Sequence, residues 1–413
     1  MRACRRTSLT VLVAAIGGVG MVLSVGAGDS SGPFLSLPEN PMVGGRLFME
    51  KGCVACHAVH GVGGTAGPDL GRVPAAWSFL GIAGVMWNHS PKMDAEFRRR
   101  RITRPELSSD EMFKLIAFVY SLNYFGGTGD PDEGERLLLR KRCLECHSVG
   151  NHGAVREALP LDRFQANVSP AYIAAALWNA SRDMTAQMRQ RGIPRPVYGE
   201  HDLVNILAFI RREAKPEEVG TATYLPLGNA QNGADLFRDK GCIHCHAVRG
   251  EGGNIGPDLG VARSGDVVSQ MAGAMWNHGP EMWQAMAATQ SSFTELTSTE
   301  MSDLITYLHF SSFADPAGDP MVGRRLFEEK GCGTCHGLVP EDDSLGLPAA
   351  EMDFRTAPDV IAAMWNHALE MEQAAEAAEI AWPQFRPGEM EHLVAFIKSR
   401  VDAGTRATDP GPQ

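Results

Sequence analysis

Eight of the nine cysteines form four copies of one short pattern, and this repeat limits what the chain can fold into. Each copy reads Cys-X-X-Cys-His, and the first cysteines of successive copies lie 90, 99 and 90 residues apart. A period this regular predicts one structural unit that is used four times. The four copies are Cys53–His57, Cys143–His147, Cys242–His246 and Cys332–His336.

The similarity between the copies extends well beyond the cysteines. A short helical stretch precedes each pair and starts at Gly45, Gly134, Gly233 and Gly323. Strand signals are scarce, so the sequence predicts an all-α fold of four tandem domains. Turn-forming residues cluster between the copies. We therefore expect unit 1 at 38–125, unit 2 at 126–220, unit 3 at 221–314, unit 4 at 315–405 and a disordered tail at 406–413.

Each unit closes with an amphipathic helix. In unit 1 its apolar face is Met112, Leu115, Ile116 and Val119, and Ser109 is the expected cap. The counterparts are residues 203–210, 301–308 and 390–397. A unit of about 90 residues buries little apolar surface and usually needs further stabilisation, such as a disulfide or a bound metal.

The cysteine pairs allow three interpretations. They could be disulfides, or they could form redox-active or zinc-binding Cys-X-X-Cys sites. Cys-X-X-Cys-His is also the attachment signature of c-type haem. Four copies at one place in a repeat favour haem. The two thiols would bond covalently to the porphyrin, and the adjacent histidine would be the proximal iron ligand.

With these residues the chain resembles the class I cytochrome c family over nearly all of residues 38–405. The resemblance rests on the haem-binding pentapeptide after a helix, a later methionine and a closing helix. It implies mostly helical domains that each wrap one covalent haem c, with the first and last helices packed together. It also implies that the carbonyls of Pro68 and Pro257 accept the proximal imidazole N–H, with Pro160 and Pro348 as candidate equivalents. The Met-Pro pair common in mitochondrial-type domains is absent.

The second axial ligand of each iron is predicted from the alignment of the repeats. One methionine follows the proximal histidine by 36, 37, 36 and 35 residues in the four units. Thioether ligation is common in cytochromes c, although methionine also fills gaps in cores. The four residues are Met93, Met184, Met282 and Met371, with Met188 and Met286 in reserve.

A Trp-Asn pair precedes each of these methionines. We interpret the tryptophans as core residues and the asparagines as helix caps, with haem packing and propionate binding as the alternative. The pairs begin at Trp87, Trp178, Trp276 and Trp365. The histidines that follow, His89, His278 and His367, are interpreted as hydrogen-bonding neighbours, because unit 2 has Ala180 there.

An iron with two strong ligands can only exchange electrons, so the sequence predicts an electron carrier with four haems and no catalytic residues. A fixed subunit of a membrane oxidoreductase is the alternative. A haem peroxidase or reductase is a third hypothesis, which would need an open iron, and unit 2 is the least regular unit.

The N-terminus and the charge bear on location and partners. Residues 1–27 combine three arginines with an uncharged run from Leu9 to Ala27, which predicts an export signal or a membrane anchor and hence a periplasmic chain. The net charge of −11 argues against nucleic-acid binding. The charge of units 1 to 4 falls from +2 to 0, −5 and, for 315–413, −10, so we expect a basic redox partner at unit 4.

Overall fold

The computed structural model describes residues 40–72, 78–122, 124, 126–127, 129–153, 158–163, 170–214, 227–260, 267–336 and 354–408. The predicted N-terminal signal or anchor lies outside these ranges. Within them, no helix is both long enough and apolar enough to cross a bilayer. The described residues are mostly helical, which confirms the all-α fold class.

Units 1 and 2 repeat one order of elements. Each has a helix, a 3₁₀ turn that begins at the first cysteine, a hairpin of two-residue strands, a second 3₁₀ turn, a long helix and a closing helix. In unit 1 the helices are α1 (Met42–Glu50), α2 (Phe79–Arg100) and α3 (Ser109–Ser121), with strands β1 (Ala58–Val59) and β2 (Val62–Gly63). In unit 2 they are α4 (Pro131–Arg140), α5 (Pro170–Gln190) and α6 (Asp202–Glu213), with β3 (Ser148–Val149) and β4 (His152–Gly153).

Among the described residues, units 3 and 4 repeat the order of the helices and of the 3₁₀ turn at the first cysteine. In unit 4 the long helix is divided in two at His367. Unit 3 contains α7 (Ala230–Asp239), β5 (Ala247–Val248), β6 (Glu251–Gly252), α8 (Val268–Ala288) and α9 (Ser298–Ser311). Unit 4 contains α10 (Pro320–Glu329), α11 (Ala357–Asn366), α12 (Ala368–Ala377) and α13 (Glu389–Thr408). Helix α13 therefore enters the predicted tail, whose residues 409–413 lie outside the described ranges.

The first and last helices of every unit pack together, as α1 with α3, α4 with α6, α7 with α9 and α10 with α13. A glycine at each crossing lets the two backbones approach. A Cβ added to it would lie about 2 Å from a carbonyl oxygen of the closing helix. These glycines are Gly44, Gly134, Gly233 and Gly323. In unit 1 the glycine at the crossing is thus Gly44. The sequence repeat had been aligned with Gly45 instead.

The closing helix of unit 1 is capped one residue earlier than predicted. Ser108, not Ser109, is the N-cap, because its hydroxyl accepts the Glu111 N–H while the Glu111 carboxylate accepts the Ser108 N–H. Thr297 and Glu300 repeat this capping box on α9. Both reciprocal pairs satisfy backbone donors that a helix start would otherwise leave without partners.

The units associate in pairs, unit 1 with unit 4 and unit 2 with unit 3. One hydrophobic core contains buried residues of units 1 and 4, and a second contains buried residues of units 2 and 3. Helix α3 packs on α11 in the first pair, and α5 packs on α8 and α9 in the second. The pairing therefore joins segments that are distant in the chain.

The repeated Trp-Asn motif makes these pairings. Trp87 Nε1 donates to the Pro383 carbonyl at 2.8 Å, and the Asn88 side chain exchanges two hydrogen bonds of 2.8 Å with the backbone of Phe385. Unit 4 makes the equivalent contacts with unit 1. Trp365 Nε1 donates to the Pro105 carbonyl, and the Asn366 side chain exchanges two hydrogen bonds with the backbone of Leu107. In the second pair the contacts join Trp178 to Thr294, Asn179 to Leu296, Trp276 to Pro196 and Asn277 to Tyr198.

We call each Trp-Asn pair with its backbone partners a clamp. The reciprocal contacts give each pair of units an approximate two-fold relation, as at an isologous interface. All four tryptophans are buried, so the interpretation as core residues is correct. The interpretation of the asparagines as helix caps is wrong. Each lies within or at the end of its helix, and its amide matches one N–H and one C=O of the opposite unit.

Units 1 and 3 are also in contact, again reciprocally. The Phe79 N–H at the start of α2 bonds to the Phe313 carbonyl at 2.9 Å, and the Val268 N–H at the start of α8 bonds to the Tyr124 carbonyl at 3.0 Å. The two donors are 189 residues apart and so are the two acceptors, which is also the separation of Cys53 and Cys242. Aromatic rings of Tyr120 and Phe310 pack between them at 5.3 Å. A path of direct contacts therefore runs through units 2, 3, 1 and 4.

Asp315 lies at this junction and should make stability depend on pH. Its carboxylate accepts the Leu80 N–H at 2.9 Å. Burial, reinforced by Glu391 and opposed by Ser78, the Leu80 N–H and Arg249, raises the pKa of Asp315 to about 7. The folded chain thus holds a proton that the unfolded carboxyl releases near its ordinary pKa of about 4. We expect stability to fall as pH rises from about 4 to about 7 through this group.

The substitution Asp315→Asn removes the titration and isolates its contribution. Melting temperatures of the two proteins are measured at intervals from pH 4.5 to 8. Relative to the variant, the unchanged protein should lose melting temperature as pH rises to about 7, and the difference should then stay constant. Identical pH profiles for both would show that Asp315 does not titrate in this range.

Candidate functional site

Each Cys-X-X-Cys-His segment forms a tight turn just after the first helix of its unit. The turn is entered through a residue with positive φ, namely Gly52, Arg142, Gly241 and Gly331. The histidine N–H then bonds to the carbonyl of the first cysteine at 2.9–3.0 Å in all four units. Since residues three and four apart are neighbours on one helical turn, both thiols and the imidazole share one side of the segment.

The eight thiols are free in the structure, so the disulfide interpretation is not supported. Burial raises the pKa of Cys53, Cys143 and Cys242 to about 11 and also raises that of Cys332. These thiols are therefore protonated at neutral pH. A thioether sulfur carries no charge and suits a partly buried position, whereas a structural zinc site needs four Cys, His, Asp or Glu ligands. Among the described residues, no group of three or more His, Cys, Asp or Glu side chains is arranged to hold a metal ion.

The proximal histidines are oriented by loop carbonyls. His57 Nδ1 bonds to the Pro68 carbonyl at 3.0 Å, and His246 Nδ1 bonds to the Pro257 carbonyl at 3.1 Å, as the family resemblance implied. In unit 2 the acceptor of His147 is the Leu159 carbonyl at 2.8 Å, so the expectation for Pro160 was wrong by one residue. The fourth candidate, Pro348, lies outside the described residues. A donating Nδ1–H leaves the Nε2 lone pair available to a metal.

The loop that carries these carbonyls is shaped around the imidazole. A Cβ on Gly67 would lie 2.4 Å from His57 Cε1, and one on Gly256 would lie 2.3 Å from His246 Cε1. Only glycine, which has no Cβ, therefore lets the loop run this close to the imidazole ring. In unit 3, Asp258 fixes the loop by accepting the N–H groups of Arg249, Gly250 and Gly260 at 2.6–2.9 Å. Burial opposes ionisation of Asp258, but these bonds outweigh it and lower the pKa of the carboxyl.

The four predicted distal methionines all lie on the long helices. Met93 is on α2, Met184 on α5, Met282 on α8 and Met371 on α12, and all are partly buried. Met93 and Met371 pack against the core of units 1 and 4, and Met282 packs against the core of units 2 and 3. Their assignment as iron ligands stays a prediction.

The sequence analysis missed four residues that cover the clamp tryptophans. Trp382 stacks on Trp87 at 4.3 Å between ring centres, and Phe293 stacks on Trp178 at 5.1 Å. The guanidiniums of Arg104 and Arg195 lie 3.6 and 3.7 Å above the rings of Trp365 and Trp276. Each covering residue directly precedes the backbone acceptor of the tryptophan N–H. In the sequence they share one position of the repeat, directly before Pro105, Pro196, Thr294 and Pro383. That shared position could have identified them.

Comparison with known proteins now decides the family. A family model described as cytochrome c matches residues 42–123 and 230–311, which are the cores of units 1 and 3. Units 1 and 3 are therefore class I c-type cytochrome domains. Comparison with curated proteins and with solved structures finds no match. Cytochrome c domains bind covalent haem c with iron and generally transfer electrons.

The residues of this cytochrome fit that group. Partly buried thiols stand beside an imidazole whose Nδ1–H is already bonded, and a glycine leaves space over the ring. Cys242 and Cys245 would hold the haem of unit 3, with His246 on its iron, and Cys53, Cys56 and His57 would do so in unit 1. When bound, the haem supplies one-electron chemistry, and the chain fixes the histidine tautomer.

Proposed function

We propose that this cytochrome is a tetrahaem protein that passes single electrons between redox partners in the periplasm. The observation that carries the proposal is the repeat of one turn in all four units, with the same histidine N–H bond of 2.9–3.0 Å. Units 2 and 4 thus share the local geometry of the two units that match the family. The export pattern in residues 1–27 supports the location.

The proposed haem ligands follow from this repeat. Covalent attachment is assigned to Cys53, Cys56, Cys143, Cys146, Cys242, Cys245, Cys332 and Cys335, and proximal ligation to His57, His147, His246 and His336. Met93, Met184 and Met282 are the proposed distal ligands in units 1 to 3. The distal position of unit 4 is treated separately below, because the long helix of that unit is interrupted.

The contact path between units suggests the route of the electrons. Units 2 and 3 share a core, units 1 and 4 share another, and units 1 and 3 meet through Tyr120 and Phe310. We therefore propose that electrons pass through the units in the order 2, 3, 1, 4 rather than in chain order. Units 2 and 4 are then the ends at which partners dock.

The charge of unit 4 favours a basic partner at that end. Glu370 and Glu376 on helix α12 and Glu379 just after it are exposed. Complementary charge steers redox partners into encounter and is screened by salt. We expect the second-order rate with a basic electron acceptor to fall several-fold between low and physiological ionic strength in stopped-flow measurements. A rate that is independent of salt would contradict this docking site.

A haem count tests the tetrahaem proposal directly. The full chain is produced in a host that attaches haem c, and pyridine haemochrome spectra are compared with protein concentration. We expect four haems per chain. Cys143→Ser with Cys146→Ser, and Cys332→Ser with Cys335→Ser, should each leave three. A count of two, insensitive to these variants, would restrict haem to the units that match the family. Colourless protein or bound zinc would overturn the haem assignment itself.

A further inference from the structure

Unit 4 differs from units 1 and 3 in the helix that faces its haem-binding turn. Helices α2 and α8 continue through His89 and His278, although each contains a proline two residues later. In unit 4 that proline is replaced by Leu369, yet the helix stops at Asn366 and restarts at Ala368. The residue at the break is His367, with φ −96° and ψ 0°.

The break brings His367 close to the proximal histidine of its own unit. The imidazole centres of His336 and His367 lie 6.5 Å apart, with their planes at 62°. Two imidazoles on one metal have centres about 6 Å apart, since each metal–nitrogen bond is about 2 Å and each nitrogen lies about 1 Å from its ring centre. The observed separation is close to that of two imidazoles on one iron.

A carboxylate lies near the Nδ1 atom of His367. Its Nδ1 lies 3.7 Å from Glu370 Oε2 on the next turn, whereas His89 and His278 bond Nδ1 to their own helix at the carbonyls of Val85 and Ala274. A carboxylate near Nδ1 favours the tautomer that carries the proton there, and that tautomer leaves the Nε2 lone pair for a metal. Met371, four residues later, packs against the core that unit 4 shares with unit 1, as Met93 does, so the position of His367 and not this packing distinguishes unit 4.

We propose that His367, and not Met371, is the second axial ligand of the iron in unit 4. This inference rests on the proposed haem at Cys332 and Cys335. It replaces the sequence-based assignment of Met371 and gives that residue a packing role. Methionine ligation raises the reduction potential of a haem relative to ligation by two histidines. The acidic end of the molecule would then hold the haem of lowest potential, which suits exchange with a partner of low potential.

The test counts methionine-ligated ferric haems in the full-length protein. The near-infrared charge-transfer band of each such haem is measured against total haem, together with electron paramagnetic resonance spectra at low temperature. We expect a band for three haems out of four and one signal typical of two imidazole ligands. Met371→Leu should leave the band unchanged, whereas Met93→Leu, its matched control, should lower it by one third.

The variant His367→Ala completes the test. It should abolish the two-imidazole signal and produce either a high-spin ferric haem or, if Met371 takes the vacated position, a band larger by one third. His89→Ala should leave that signal intact. The assignment is overturned if Met371→Leu weakens the band as Met93→Leu does, or if His367→Ala leaves the signal unchanged. A haem count of three with unit 4 empty would instead show that the proposed function fails for this unit.

Discussion

Alanine in place of Gly233 is expected to destabilise unit 3 by at least about 3 kcal/mol, the upper part of the range for overpacked cores. The new Cβ would lie 2.0 Å from the carbonyl oxygen of Asp303 and 2.6 Å from Tyr307 Cβ. Both are on α9, and the nearer atom belongs to its backbone. A flexible side chain could move aside, but a helix backbone cannot, so α7 must separate from α9 along the whole crossing.

The measurement is thermal unfolding of the intact protein followed by circular dichroism, with covalent haem counted in the same preparations. The chain offers a matched control in Gly84, a buried helical glycine whose added Cβ would meet no atom closer than 3.8 Å. Gly84→Ala should be neutral or stabilising by about 0.5–1 kcal/mol, because alanine favours the helix. Equal melting temperatures for Gly233→Ala and the unchanged protein would show that the helices can part at little cost.

The fold class and the cysteine chemistry could be predicted from the sequence because both depend on local spacing. Cys-X-X-Cys-His is a single turn, and the bond from the His246 N–H to the Cys242 carbonyl closes it within five residues. The closing helices follow from an apolar period and a capping box, such as Ser108 with Glu111. Errors of one residue, as at Ser109 and Pro160, arise because a cap or a loop carbonyl is selected by backbone geometry.

The pairing of the units could not be predicted, because it depends on contacts between residues 79 to 297 positions apart. The Trp-Asn motif was visible in every repeat, but a tryptophan in a single unit has no feature that distinguishes a core from an interface. Asn88 was interpreted as a helix cap. Its actual partner, Phe385, belongs to unit 4. The break at His367 also escaped prediction, since the sequence lacks a helix-breaking proline there.

Alanine in place of Trp87 is expected to cost about 3–5 kcal/mol, as for other buried tryptophans, and to loosen one pair of units while sparing the other. Trp87 is 8% exposed and is stacked on Trp382, and its Nε1 donates to the Pro383 carbonyl at 2.8 Å. The substitution leaves a cavity and an unsatisfied carbonyl at the centre of the clamp. The adjacent Asn88 then loses the packing that holds its amide against Phe385.

Hydrogen exchange resolves this effect at single amides. The Phe385 N–H bonds to Asn88 Oδ1 at 2.8 Å, and the equivalent Leu296 N–H bonds to Asn179 Oδ1 at 3.0 Å in the other pair. Trp87→Ala should strongly reduce protection at Phe385 and leave Leu296 unchanged, whereas Trp178→Ala should do the reverse. Loss of both in either variant would mean that the chain opens as a whole. The two pairs would then not be separate cooperative units, and the order 2, 3, 1, 4 would describe one continuous core rather than two pairs in contact.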